Sequence, residues 1–325
     1  MLLTIAAAKK FYSVLIFALC ITMLALPAFA IEKGASHSEI IKVTPTKNDS
    51  EAFRVLMTET GEVEKISRRD YLFGVVASEM GPESPLEALK AQTVACYTYA
   101  LYRKGENADK KYDISDSPDT DQKYVSRSAL IEKWGSNADK YSAVLDTAIE
   151  QTLNYVMTDS EGKPILAAYH AVSSGRTESA QTVWGSDYPY LQSVESIGDL
   201  LSPDYLSVRT FTQGEISEAM SKFVTLSGDA SKWLGGGEYS ESGTVISYKF
   251  GDTDVSGADI RDTLGLRSAA FDVSYKDDTF TFNVKGFGHG VGMSQYGAKY
   301  LASTGSNFVE ILSHYYTGCR MSKGK

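Results

Sequence analysis

The stretch GVVASEMGPESPLEALKAQTVA, residues 74–95, puts an acid, Glu79, at the end of an apolar run and directly before a Gly-Pro break. Read as a helix, the run sets Leu72, Val75, Val76 and Glu79 at i, i+3, i+4 and i+7, all on one face. Glu79 therefore points where apolar residues point. Ser67 or Asp70 is expected to cap this helix, and Gly81 with Pro82 to end it. A second helix is expected at once, with Ser84 as N-cap, Pro85 in the first helical position and Glu87 closing a capping box, running to about Tyr102. At a helix C-terminus a carboxylate meets unpaired carbonyls and the negative end of the macrodipole, and an apolar setting disfavours its charge as well. Both effects raise its pKa, and an acid kept protonated near neutrality is suited to general acid catalysis. The plainer reading is a solvated Glu at a frayed helix end.

Upstream, EAFRVLMTETGEVEKIS (51–67) alternates as a strand, turns at Thr60-Gly61 and returns as a second strand. Downstream, a polar loop leads to a helix-to-strand passage over 140–158, and KPILAAYHAV (163–172) reads as a buried strand. TVISYKF, FDVSYKDD and TFTFNVKG are further strands, with a short helix at GADIRDTLG; residues 195–245 carry little signal beyond a glycine run at 235–237. The chain closes with a glycine-rich loop feeding two short helices. Strands and helices mix without regular alternation, which favours an α+β fold over a doubly wound sheet.

The chain has 325 residues, 43% hydrophobic and 22% charged, an ordinary globular composition. Its net charge is −9, and the first thirty residues hold two lysines and no acid, so the remainder is more acidic still. Nucleic acid is thereby disfavoured as a partner, as is an anionic bilayer surface. Lys9 and Lys10 precede FYSVLIFALCITMLALPAFA, which ends in Ala28-Phe29-Ala30, a pattern expected of a secretory signal. The same run approaches the roughly 20 residues that span a bilayer, so an uncleaved membrane anchor is the other reading. Leu19 before Cys20 argues against a lipoprotein. Residues 1–30 are thus read as signal or anchor, 31–50 as linker and 51–322 as one domain, placed outside the cytoplasm, either anchored to the cell membrane or secreted to the wall. Outside the leader, Cys96 and Cys319 form at most one pair.

Three blocks, YLFGVVASEMGPESPLEALKAQTVACYTYA, AAYHAVSSGRTESAQTVWGSDYPYLQSV and GFGHGVGMSQYGAKYLA, resemble, in this order, the stage II sporulation protein D family, to which the amidase-enhancer domains of wall-modifying proteins also belong. The resemblance covers about residues 50–320. It implies an envelope enzyme that cleaves peptidoglycan glycan strands from which an amidase has removed the peptide stems, with that amidase as partner. It further implies Glu79 as the catalytic residue and, in a spore former, work in septal thinning and engulfment. One acid suffices for a lytic transglycosylase, because the sugar's own 6-hydroxyl replaces water as nucleophile; the usual glycosidase needs two carboxylates. A hydrolase would require a second acid, for which Glu83 and Glu178 are candidates. A different class, a glycan-binding enhancer of an amidase that cuts nothing, is the main alternative.

The resemblance places Lys90 where the family carries Lys, and Tyr97 where it usually carries Arg. The remaining candidate contacts to the glycan are His170, Ser173, Ser174, Arg176 and Trp184, with His289, Ser294, Gln295 and Tyr296 in the last block. Gly286, Gly288, Gly290 and Gly292 alternate there, a spacing expected to let backbone approach a ligand. This loop lacks the G-K-[ST] ending of a P-loop, and G-M-S-Q-Y-G is one residue too long for a nucleophile elbow. Some members of the resembled family bind zinc through Cys and His in the loop after the helices, but KYDISDSPDTDQKY (111–124) has neither. No metal and no cofactor is expected.

Overall fold

The computed structural model describes residues 51–323; the leader and linker read from the sequence lie outside the described residues. β1 (Ala52–Leu56) and β2 (Val63–Ser67) form an antiparallel hairpin. Phe53 and Val55 are wholly buried on its inner face. Ser67 ends the hairpin and caps α1 (Arg68–Glu79), accepting from the Asp70 N–H while its hydroxyl donates to the Asp70 carboxylate at 2.6 Å. Leu72, Val75 and Val76 are fully buried, so the apolar face of α1 lies where the periodicity puts it.

Met80 caps the C-terminus of α1 and Gly81 follows in the left-handed region, φ +79°. The expected capping box of the next helix does not form. The Ser84 hydroxyl instead donates to the Met80 carbonyl at 2.9 Å, satisfying the end of α1, and Glu87 turns to Lys90 and to the Phe308 N–H. α2 (Leu86–Glu106) therefore starts from Pro85 without a side-chain cap, and it runs past Tyr102. β3 (Ile114–Ser115) joins β1 in parallel; α3 (Arg127–Trp134) and α4 (Ala138–Thr152) lead into β4 (Tyr155–Thr158). The expected buried strand over 163–172 is reduced to β5 (Tyr169–His170), followed by α5 (Ala180–Trp184).

A second hydrophobic core begins after a 3₁₀ turn, Ile197–Leu201. β6 (Leu206–Thr212), α6 (Gln213–Ala219), β7 (Leu234–Tyr239), β8 (Val245–Phe250), β9 (Thr253–Ser256), α7 (Gly257–Leu264), β10 (Phe271–Lys276) and β11 (Thr279–Lys285) build it. Two three-stranded antiparallel sheets, ordered β10-β11-β6 and β7-β8-β9, enclose Phe250, Phe271, Phe280 and Phe282. The chain then returns to the first core: β12 (Met293–Ser294) pairs in parallel with β5. α8 (Gln295–Ser303) and α9 (Phe308–Tyr315) pack on α2, and β13 (Arg320–Lys323) pairs with β4. The fold is α+β. Cys96 is buried and Cys319 partly so, and both thiols are free.

Candidate active site

Glu79 is the last residue of α1 and is half-buried. Its Oε1 accepts the Lys123 N–H at 3.1 Å. Gly74 makes this contact reachable: a Cβ there would meet the Val125 carbonyl at 2.3 Å, so only glycine lets the loop after β3 lie against α1. That loop is held from below by Asp121, which takes Arg103 Nε at 2.5 Å and the Ser115 N–H at 2.9 Å. Gln122 then accepts from Tyr71 at 2.9 Å and donates to Tyr169 at 3.0 Å. Tyr169 and the Gln295 amide also face the carboxylate. Gln295 Nε2 is buried and makes no hydrogen bond of normal geometry, so it acts on Glu79 as a dipole held nearby.

Desolvation raises the Glu79 pKa; the Lys123 N–H, Gln295 and Tyr169 pull the other way and lose. The anion is thus costly but has the Lys123 N–H and charge, Gln295 and Tyr169 to favour it when it forms. No other carboxylate figures among the main influences on it. Glu83 accepts the Tyr141 hydroxyl at 2.6 Å, and Glu178 takes the hydroxyls of Ser240 and Ser242.

Side chains of adjacent strand residues point to opposite faces. On β5 this separates Tyr169, which faces Glu79, from His170, which joins a second cluster. His170 Nδ1 donates to the Val291 carbonyl at 3.1 Å, leaving Nε2 buried without a partner. His289 Nδ1 accepts the Val291 N–H at 3.0 Å, so its ring is neutral with the proton on Nε2. Burial lowers the His170 pKa to about 4; burial, then His170 and Arg261, lower that of His289 to about 3. The Trp184 ring, 40% exposed, lies 5.2 Å from His289.

The other candidates are placed differently from one another. Lys90 forms its ion pair with Glu87 at 2.5 Å. Tyr97 donates to Glu51 at 2.6 Å and accepts from Arg68, the first residue of α1, whereas Glu79 is the last. Ser173 and Ser294 are buried and donate to Asp199. Ser174 donates to the Ser242 carbonyl at 2.8 Å, Arg176 reaches Glu241 at 3.6 Å, and the Tyr296 hydroxyl donates to the Leu201 carbonyl at 3.0 Å. Of the predicted set, Gln295 is the residue brought to Glu79, while His170, His289 and Trp184 gather on the other face of β5. The glycines of 286–292 press on the chain's own 168–178 segment rather than on open space: at Gly292, φ +73°, a Cβ would meet the Ala168 carbonyl at 2.0 Å. Tyr169, Gln122 and Asp199 were not foreseen. The alternation around KPILAAYHAV places Tyr169 opposite His170, and this was the signal available for it. Among the described residues no three His, Cys, Asp or Glu side chains converge as metal ligands, and the 111–124 loop is held by Asp121 and Gln122 instead. These residues do not fit a zinc site.

The family model described as Stage II sporulation protein matches residues 57–158, the segment that spans α1, α2 and the loop against Glu79. The chain is 36% identical over 331 residues to Stage II sporulation protein D of Bacillus amyloliquefaciens, covering 95% of each. It is 32% identical over 334 residues to the protein of that name in Bacillus subtilis, covering 97% of this chain and 96% of the other. The chain belongs to the stage II sporulation protein D family. It is also 31% identical over 304 residues to the Amidase enhancer of Bacillus subtilis, covering 77% of this chain and 40% of that protein.

Proposed function

We propose that the protein is a lytic transglycosylase acting on amidase-stripped peptidoglycan strands outside the cytoplasm, in sporulation and beside a cell-wall amidase. The observation that carries this reading is a desolvated carboxyl, Glu79, faced by the Lys123 N–H, Gln295 and Tyr169 and by the Lys123 charge, with no other carboxylate among its main influences. Glu79 protonates the oxygen between N-acetylmuramic acid and N-acetylglucosamine, and the anomeric C–O bond breaks. The Lys123 N–H and Gln295 dipole favour the carboxylate formed. It then takes the proton of the muramic 6-hydroxyl as that oxygen bonds to the anomeric carbon, so no water is consumed and Glu79 ends protonated. The names of the relatives support the sporulation role and the amidase partnership. The leader, read from sequence, supports export to the membrane or wall. A second reading, a glycan-binding enhancer of an amidase, draws on the similarity to the Amidase enhancer and on Lys90 being paired with Glu87.

Mass spectrometry of stripped strands after incubation decides between them. The proposal expects 1,6-anhydro-muramic ends; reducing ends would make the protein a hydrolase, and intact but bound strands would favour the enhancer.

A further inference from the structure

Where the two cores meet, a cavity of about 170 Å³ opens between the 286–292 loop, the 172–178 segment and α7. Its wall carries three cations, Arg176, Arg261 and Lys285, against one carboxylate, Glu178. Glu178 is already engaged by the hydroxyls of Ser240 and Ser242. Arg176 and Lys285 have long, loose pairs, at 3.6 Å to Glu241 and 3.8 Å to Asp272. Arg261 has none: among the described residues its guanidinium makes no ion pair, and its Nε is buried without a hydrogen-bond partner. Arg261 is half-buried, and a buried N–H without a partner costs stability unless an incoming group accepts from it. A guanidinium fork matches a carboxylate in two parallel hydrogen bonds. His289 shares the wall as a neutral ring, and Trp184 stands beside it with an exposed face suited to stacking on a sugar.

We propose that this cavity is a carboxylate-binding subsite, centred on Arg261, that reads the lactyl carboxylate of N-acetylmuramic acid. The inference rests on the glycan reading above. Removal of a peptide stem turns a neutral lactyl amide into an anion, so this contact distinguishes stripped from unstripped sugars. Glu79 does not line the cavity, so the muramic residue held there is another one of the same strand, since every second sugar carries a lactyl group. Arg261 is therefore a specificity residue that acts on binding, and its loss raises KM while leaving kcat.

The test measures binding of stripped strands and of the same strands with the lactyl carboxyl converted to its primary amide. Glu79→Gln is the background, so that cleavage does not intervene. The parent is expected to bind the free acid roughly tenfold to a hundredfold more tightly, the range of a charge-assisted hydrogen bond. Adding Arg261→Gln abolishes that ratio without weakening binding of the amide, and Arg261→Lys restores part of it. Equal binding of acid and amide by the parent overturns the subsite, as does an undiminished ratio in a folded Arg261→Gln variant. Strands that retain their stems carry carboxylates far from the ring; if Arg261→Gln weakens binding to these equally, the lactyl assignment is wrong. Because the readout is binding, discrimination by the parent together with no cleavage by the wild-type protein defeats the transglycosylase reading and leaves the subsite standing.

Discussion

Glu79 and Asp199 are both carboxylates whose pKa burial raises, yet they are built for different work. Asp199 is wholly buried and takes the N–H and hydroxyl of Ser173 and the hydroxyl of Ser294, the last at 2.7 Å. Those bonds tie the 3₁₀ turn to β5's successor segment and to β12. Glu79 is half-open, has one backbone N–H, and is otherwise faced by groups that do not saturate it. A carboxylate with every lone pair engaged fixes a fold; one left short of donors keeps a protonation equilibrium available for chemistry.

Removing Asp199 should therefore have the largest effect on stability. Asp199→Ala leaves three donors buried and unpaired, an expected loss of about 3 kcal/mol or more by denaturant unfolding. A smaller loss, with activity gone, would assign Asp199 to the chemistry and break the contrast. Next in size is the acid side of the stability curve. His170 and His289 titrate near 4 and 3 when folded, against 6.5 ordinarily. Between those values the unfolded chain binds more protons, so stability falls as pH drops from about 6.5 toward 4. His170→Asn keeps a donor for Val291 and is expected to flatten that slope, by on the order of 2 kcal/mol at pH 4; an unchanged slope would mean the ring is solvated.

Gly74→Ala sharpens the contrast from the Glu79 side. Its methyl collides with the Val125 carbonyl, so the loop bearing Lys123 must shift, at about 1–3 kcal/mol. Strand cleavage should fall by more than the stability loss explains, and unchanged cleavage would show that the Lys123 N–H is dispensable. The smallest effect is expected of Tyr97→Phe, which gives up the bond to Glu51 for about 1 kcal/mol and leaves cleavage intact. A lost activity there would return Tyr97 to the glycan site.

Much of this arrangement was legible in the chain. The periodicity of Leu72, Val75 and Val76 fixes the face of α1, and Gly81-Pro82 fixes its end, so Glu79 could be found from local pattern. Strands β8, β10 and β11 alternate openly. The misses have one physical source, competition from distant partners. Ser84 matches a capping box, but the Met80 carbonyl was the stronger claimant and Phe308, 221 residues away, drew off Glu87. Asp199 sits in a stretch with no periodicity, and its role depends on Ser294, 95 residues on. The glycine alternation of 286–292 marks close backbone approach correctly, but its partner is the segment 168–178.

The most direct measurement is made on Glu79→Gln, with cleavage of stripped strands and a thermal scan on the same preparation. Glu79 has a folded pKa above its ordinary value, so its ionisation costs stability as pH rises through that folded pKa. The account predicts that the variant loses cleavage by about 10²-fold or more at pH 7 while melting at the same temperature or higher. A variant that still cuts, or one that loses activity only because it has unfolded, would contradict it.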